Sequence, residues 1–255
     1  MGTDLGGFFS QFAELRGVVR WLMIAGIALG LWIGLNRTAL DSRARTFTWL
    51  AVVIPLVAWH QVIWQFAVAG GFELRFDIGG RLAPPIPLAI FLPLLIFLPL
   101  VLRSQRIGAA LDVLPQSWLV GFQVYRILGG VFLLRWLTGD LPAAFALPAG
   151  IGDVLVGALA IPIALYLQSG ARGGRAAAYA WNILGIVDLL VAVSIGTMTQ
   201  PGRLNLIPVE VANTVGTTYP LVMIPAFAVP LSLILHALSL RQLVRSARRR
   251  IPALA

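Results

Sequence analysis

Three ionisable residues stand inside long apolar runs: Arg126, Asp153 and Asp188. A charge at membrane depth costs about 2.5–3.5 kcal/mol or more, so such groups pair with one another and mark ion paths, proton relays or ligand sites. Two carboxylates close together do not both ionise cheaply; one holds a proton or recruits a cation. Arginine stays protonated, and its five N–H donors can bridge two acids. The trio then carries one net negative charge, which a proton, a bound cation or a cationic substrate would neutralise. The structural alternative is one Arg–Asp pair fixing helix packing, with the other aspartate facing a water pocket.

The neighbours of these residues suggest a cavity. Gly150-Ile151-Gly152-Asp153-Val154-Leu155-Val156 resembles Gly185-Ile186-Val187-Asp188-Leu189-Leu190-Val191. A motif shared by antiparallel neighbours is what a small inverted repeat produces, and so is chance likeness between two apolar helices. Ala149, Gly157, Ala160 and Ala164 form a small-residue stripe with Asp153, which lets another helix approach. Asn182 and Gly185 share a face with Asp188. Gln123 and Gly130 lie at helical spacing from Arg126, with Tyr125 beside it. His60 lies between Trp59 and Trp64, with Gln61 and Gln65 on an adjacent face; it can titrate, ligate a metal or bind a ring, or simply be hydrogen-bonded in the core. The candidate ligand-binding set is therefore Arg126, Asp153, Asp188, His60, Asn182, Gln123, Tyr125, Trp59 and Trp64. His236, near the end of the last apolar run, reads as interfacial.

These groups need elements to carry them. The chain has 255 residues, 59% apolar and 11% charged, where a soluble domain carries roughly 25% charge. Lipid is the consistent solvent. A span needs about 20 mostly apolar residues, and seven candidates emerge, roughly 17–35, 47–69, 85–102, 114–137, 143–167, 176–196 and 217–240. The expected fold is an all-α polytopic membrane bundle, with residues 1–255 a single transmembrane domain.

The arginines set an orientation. Arg37, Arg43 and Arg45, then Arg103 and Arg106, then Arg172 and Arg175, then Arg241, Arg245 and Arg248–Arg250 fall on every second connection. The alternate connections are balanced or acidic: Asp4 and Glu14 against Arg16 and Arg20, Glu73 and Asp77 against Arg75 and Arg81, Asp140 alone, Arg203 against Glu210. Seven spans with the N-terminus outside and the C-terminus cytoplasmic give this alternation. Trp21, Trp32, Trp49, Trp118, Trp136 and Trp181 lie near span ends, where indoles sit at headgroup level. Asp4 and Glu14 near the start argue against a cleavable signal peptide.

Several segments have two readings. Pro85, Pro87, Pro93 and Pro99, and Pro220, Pro225 and Pro230, can bend their spans into a cavity or hinge, or merely be tolerated. Leu141–Gly150, with Pro142 and Pro148, reads as a broken or late-starting helix or as a plain loop. The tail from Leu240 to Arg250 reads as a continuation of the last helix onto anionic headgroups. Phe8, Phe9, Phe12 and Leu15 suggest an interfacial helix or the start of the first span.

Some chemistries are excluded. All 19 cations are arginines, so retinal on a Schiff base, which needs lysine, is out; a non-covalent pigment is not. There is no cysteine, hence no thiolate metal site, iron–sulfur cluster or disulfide. No HExxH, GxSxG or P-loop occurs. A bis-histidine haem is disfavoured, because His60 and His236 should differ in depth by about 14 Å at 1.5 Å per residue; any cofactor is unknown. The clustered arginines speak for a bilayer, not nucleic acid, as partner.

Leu141-Pro142-Ala143-Ala144-Phe145-Ala146-Leu147-Pro148-Ala149-Gly150-Ile151-Gly152-Asp153-Val154-Leu155-Val156-Gly157, the run Trp181–Val193 and the run Pro220–Leu240 together resemble a group of bacterial multi-span membrane proteins with no assigned activity. The resemblance covers roughly residues 114–243 and implies a bacterial inner membrane. The functional expectation is an integral membrane carrier or a small-molecule or cation-binding protein with a charged midplane site. Alternatives are a membrane-embedded enzyme or redox subunit acting on a lipid or quinone, and a seven-helix sensor or subunit of a larger complex.

Overall fold

A computed structural model describes residues 5–73, 76–77, 82–83, 85–202 and 204–250, with side chains described for 17–73, 85–202 and 204–247. Asp4, Arg75, Arg81 and Arg203, and the side chains of Phe8, Phe9, Phe12, Glu14, Leu15, Arg16, Asp77 and Arg248–Arg250, lie outside that description. Seven helices are long and apolar enough to cross a membrane. They are α1 (Leu5–Asn36), α2 (Ser42–Val68), α3 (Ile86–Arg103), α5 (Gln116–Leu137), α6 (Ala143–Gln168), α7 (Gly174–Met198) and α8, whose span is Ile224–Ala247.

The boundaries follow from local chemistry. Asp41 caps α2, its side chain accepting from the Ala44 amide at 2.8 Å, so α2 starts at Ser42, ahead of its first apolar run. The connection after α3, expected as a loop, is a short helix, α4 (Gln105–Val113). Ser104 caps it by accepting from Ile107 N at 3.2 Å, and Ile107, Ala110 and Leu111 bury one face at i, i+3, i+4 spacing. The all-helical expectation also meets one small exception. Phe76–Asp77 (β1) and Leu82–Ala83 (β2) pair antiparallel, with Phe76 opposite Ala83, in the connection before α3.

Of the readings open for Leu141–Gly150, neither a break nor a plain loop occurs. α6 begins at Ala143, directly after Pro142, and runs unbroken through Pro148 to Gln168. Pro148, the sixth residue of α6, gives up its own bond to the Ala144 carbonyl without ending the helix. α8 starts late and ends late against the expected 217–240: a wide π turn over Ile224–Ala228 leads into α-helix Val229–Arg250.

α5 is not uniform. Gln116–Gly121 and Val131–Leu137 are α-helical, but Phe122–Gly130 is a tighter 3₁₀ stretch. Its three-residue period puts Gln123, Arg126 and Gly129 on the buried face. Gly130, expected beside Arg126 at α-helical spacing, therefore turns toward Val154.

The four basic connections meet at one end of the bundle. Arg106 Nη1 reaches Thr48 Oγ1 at 3.5 Å, Arg241 donates to the carbonyls of Val101 and Ser104 at 3.0 Å each, Arg175 Nη1 donates to Ser246 Oγ at 2.8 Å, and Arg245 Nη2 pairs with Asp112 at 2.7 Å. Trp21, Trp32, Trp118 and Trp136 face outward, as interfacial indoles do, but Trp181 is buried; its Nε1 donates to the Val156 carbonyl at 3.0 Å and ties α7 to α6.

Candidate functional site

Arg126 projects from the 3₁₀ stretch of α5 toward α6, α7 and α8, and all its N–H groups are engaged. Its Nε donates to Asp153 Oδ1 at 2.8 Å, and Nη2 lies 2.7 Å from the same oxygen. Nη2 also pairs with Asp188 Oδ2. Nη1 donates to the Gly185 carbonyl at 3.3 Å and faces His236 Nε2 at 3.3 Å. The guanidinium is only 2% exposed, and the Asp153 and Asp188 side chains are 11% and 9% exposed. A buried cation bridging two acids from separate helices carries, with both acids ionised, one net negative charge.

Three glycines make room for this packing. A Cβ on Gly129 would collide with the Asp153 carboxylate, one on Gly152 with the Asp188 carboxylate, and one on Gly185 with the His236 ring. Each of these polar groups thus fits against a backbone on the facing helix. Likewise, a Cβ on Gly157 would meet Ile127 N at 2.5 Å, which shows how closely α6 lies against α5.

His236 is fully buried, not interfacial. Its Nδ1 lies 2.9 Å from Asn182 Oδ1. The Asn182 amide nitrogen donates to the Ala178 carbonyl at 2.7 Å and to Ser239 Oγ at 3.1 Å, which leaves Oδ1 as acceptor. His236 therefore carries its proton on Nδ1 and offers the Nε2 lone pair to Arg126 Nη1. The imidazole acts as a neutral acceptor for a cation, held in register by Asn182. Trp181 covers it, ring centroids 5.0 Å apart.

The other candidates divide. Asn182 joins the cluster through His236. Gln123 Nε2 donates to the Ser232 carbonyl at 3.4 Å while its buried Oε1 has no partner among the described residues. The Tyr125 hydroxyl bonds Ser232 Oγ at 2.5 Å. His60, Trp59 and Trp64 are not brought to the trio. His60 sits in an aromatic nest, 4.8 Å from Trp21 and 5.0 Å from Phe227, and neither ring nitrogen has a hydrogen-bond partner among the described residues. Trp59 packs on Phe227 at 4.8 Å and on Phe97 at 6.5 Å. Trp64 points outward.

Cavities flank the trio on both sides. A space of about 60 Å³ is lined by Arg20, Tyr125, Arg126 and Asp153, and one of about 50 Å³ by Asp153, Phe145, Asn213 and Ile224. Both touch Asp153 and the π turn of α8. Toward the basic end, Ser232, His236, Ser239, Gln242 and Ser246 form a polar stripe along α8, and a cavity of about 330 Å³ opens between Gln116, Arg175, Gln242 and Ser246. His236 was missed because of its position in the chain, yet this stripe on an apolar helix is a legible signal for it.

Residues 83–244 match the model of a family described as a domain of unknown function (DUF8737). No curated protein and no solved structure matches the chain. The matched residues contain the whole Arg126–Asp153–Asp188–His236 cluster; Arg20 and His60 lie before them.

Proposed function

We propose that this chain, which belongs to the DUF8737 family, is a multi-pass membrane carrier that moves a small molecule or cation with proton exchange at Asp153 and Asp188. The observation that carries this reading is the pair of buried carboxylates held by one arginine with no donor to spare. The uncompensated negative charge needs a mobile partner, and a proton or cation supplies it. The small cavities on one side of Asp153 and the polar stripe and larger cavity on the other support access from both faces. The 3₁₀ stretch and the π turn beside the trio are irregularities of the kind that accompany functional sites.

The arginine distribution supports an outside N-terminus and a cytoplasmic C-terminus, and the resemblance noted above supports a bacterial inner membrane. In this frame the small cavities face outward and the larger one faces the cytoplasm. The test is proton flux in proteoliposomes under imposed sodium, potassium, methylammonium and propionate gradients. The wild type should couple proton movement to one of these gradients. Asp153→Asn and Asp188→Asn, with melting checked separately, should lose the coupling; unchanged flux in both variants removes the carrier.

The reading of an enzyme or redox subunit acting on a lipid or quinone has one observation in its favour. A mostly apolar cavity of about 410 Å³ lies between α2, α3, α4 and α8, lined by Trp59 and Phe97, with Thr48, Ser104 and Arg106 as its polar residues. A lipophile co-purified in fixed ratio, or a visible absorption band, would favour it over the carrier.

A further inference from the structure

Arg20 was counted with the outer connection, but it is a buried side chain, 7% exposed, on α1. Among the described residues it makes no hydrogen bond or ion pair, and its Nε is sealed from solvent without a partner. It lines the cavity of about 60 Å³ that also exposes Asp153 and Tyr125. Arg126 cannot clamp an added anion there, since its donors all go to Asp153, Asp188, Gly185 and His236. The free donors facing this cavity belong to Arg20.

We propose that the cavity between α1, α5 and α8 binds a small monocarboxylate on Arg20, and that each anion enters with one proton taken up by Asp153. This deepens the carrier reading and rests on it. The trio carries one net negative charge and Arg20 one positive charge, and an anion bound on Arg20 takes up that positive charge. A monoanion adds one negative charge in a low-dielectric space, where an uncompensated charge is expensive. One proton restores neutrality. Asp153 lines the cavity, whereas Asp188 does not. The groups facing Asp153 are Arg126 and Tyr125 on α5, Asp188 on α7 and Arg20 on α1; His236 on α8 reaches it through Arg126, and His60 on α2 packs on Trp21 beside Arg20.

The rest of the lining fixes the ligand class. Val19, Met23, Leu189 and Met223 make the wall mostly apolar. A buried water needs roughly 10–15 Å³ by the same measure, so the space takes a few water-sized groups. That suits a short-chain carboxylate such as propionate, with its oxygens on Arg20 and its methyl end on the apolar wall.

The experiment titrates propionate calorimetrically into the full chain in phosphatidylcholine nanodiscs, in two buffers of different ionisation enthalpy at one pH. The wild type should bind propionate with about one proton taken up, and should ignore propionamide. Arg20→Gln should weaken binding at least about tenfold, as loss of a charge-assisted hydrogen-bonding partner does. Asp153→Asn should bind without proton uptake. Absence of propionate binding, equal affinity in Arg20→Gln, or binding of wild type without protons each overturns the proposal. If Arg20→Gln does not fold, Val19→Phe fills the cavity and keeps both arginines; it should lose binding, and retained binding overturns the proposal. Repeating the titration with phosphatidylglycerol in the discs separates sources of the anion. Arg20-dependent competition by that lipid would assign the site to a headgroup and overturn the soluble carboxylate. Proton coupling to sodium or potassium that survives in Arg20→Gln would leave the carrier standing while this site fails.

Discussion

Replacing Arg126 by Gln tests the charged cluster most directly. The substitution removes the cation that, alone among the described residues, pairs with Asp153 and Asp188, whose side chains are 11% and 9% exposed. It also leaves the Nε2 lone pair of His236 without its donor. Removing one partner of a buried ion pair costs about 3–5 kcal/mol, because the remaining charge is left uncompensated. For a chain of this length each kcal/mol moves the melting temperature by about 2–4 °C. The expected drop is therefore about 6–20 °C, read by tryptophan fluorescence during thermal unfolding in detergent. The triple variant Arg126→Leu, Asp153→Leu, Asp188→Leu supplies the control. Apolar replacement of a whole buried charge group is often neutral or stabilising, so it should recover most of the loss. An Arg126→Gln protein melting within about 2 °C of wild type would refute the reasoning; so would a triple variant no more stable than the single one.

Gly152→Ala should push the Asp188 carboxylate off Arg126 and cost about 1–3 kcal/mol in melting experiments; in an Asp188→Ala background that penalty should vanish, and its persistence would disprove the steric account. At the opposite end, Arg135 donates to Asp140 at 2.8 Å and holds its carboxyl below the usual carboxylate range, against the opposing effect of burial and with help from Thr138. A depressed acid adds stability above its unfolded range and loses it as pH falls through the folded value. At 22% and 38% side-chain exposure the gain is under about 1 kcal/mol. Amides of Asp140 and Leu141, which donate to the Arg135 carbonyl, should thus lose protection from exchange in strong acid and in Asp140→Asn; unaltered protection would contradict this. Because the chain has no cysteine, Ser169→Cys and Pro201→Cys report orientation by impermeant thiol labelling of whole cells. Pro201→Cys should label and Ser169→Cys should not; the reverse pattern would invert the topology.

The spans and the trio are legible in the sequence for one reason: charge is so scarce in apolar helices that each exception is conspicuous. Arg126, Asp153 and Asp188 could be singled out without coordinates, and the structure shows the contacts between them. What stayed hidden depended on which side chains other helices cover. His236 reads as interfacial from its place along the last span, but Arg126, Asn182 and Trp181 from other helices enclose it. Arg20 falls inside the first apolar run yet counts with the charges of the N-terminal segment, and only the packing of α1 shows that its side chain is buried. Short helix α4 lacks the length of a hydropathy signal, and only its Ser104 cap announces it. His60 and its tryptophans looked like site residues from composition alone; their partners, Trp21 and Phe227, come from other helices.

The nine tight residues of α5, Phe122–Gly130, behave like a stretch of narrower, longer-pitched screw let into a wider one. Each advances about 20° further and rises about 0.5 Å more than an α-helical residue would. Across the stretch that sums to about half a turn and about 4.5 Å. Relaxing two or three of these residues to α geometry would untwist α5 by about 40–60° and shorten it by about 1–1.5 Å, so the direction of the Arg126 guanidinium is tied to the winding of its own helix.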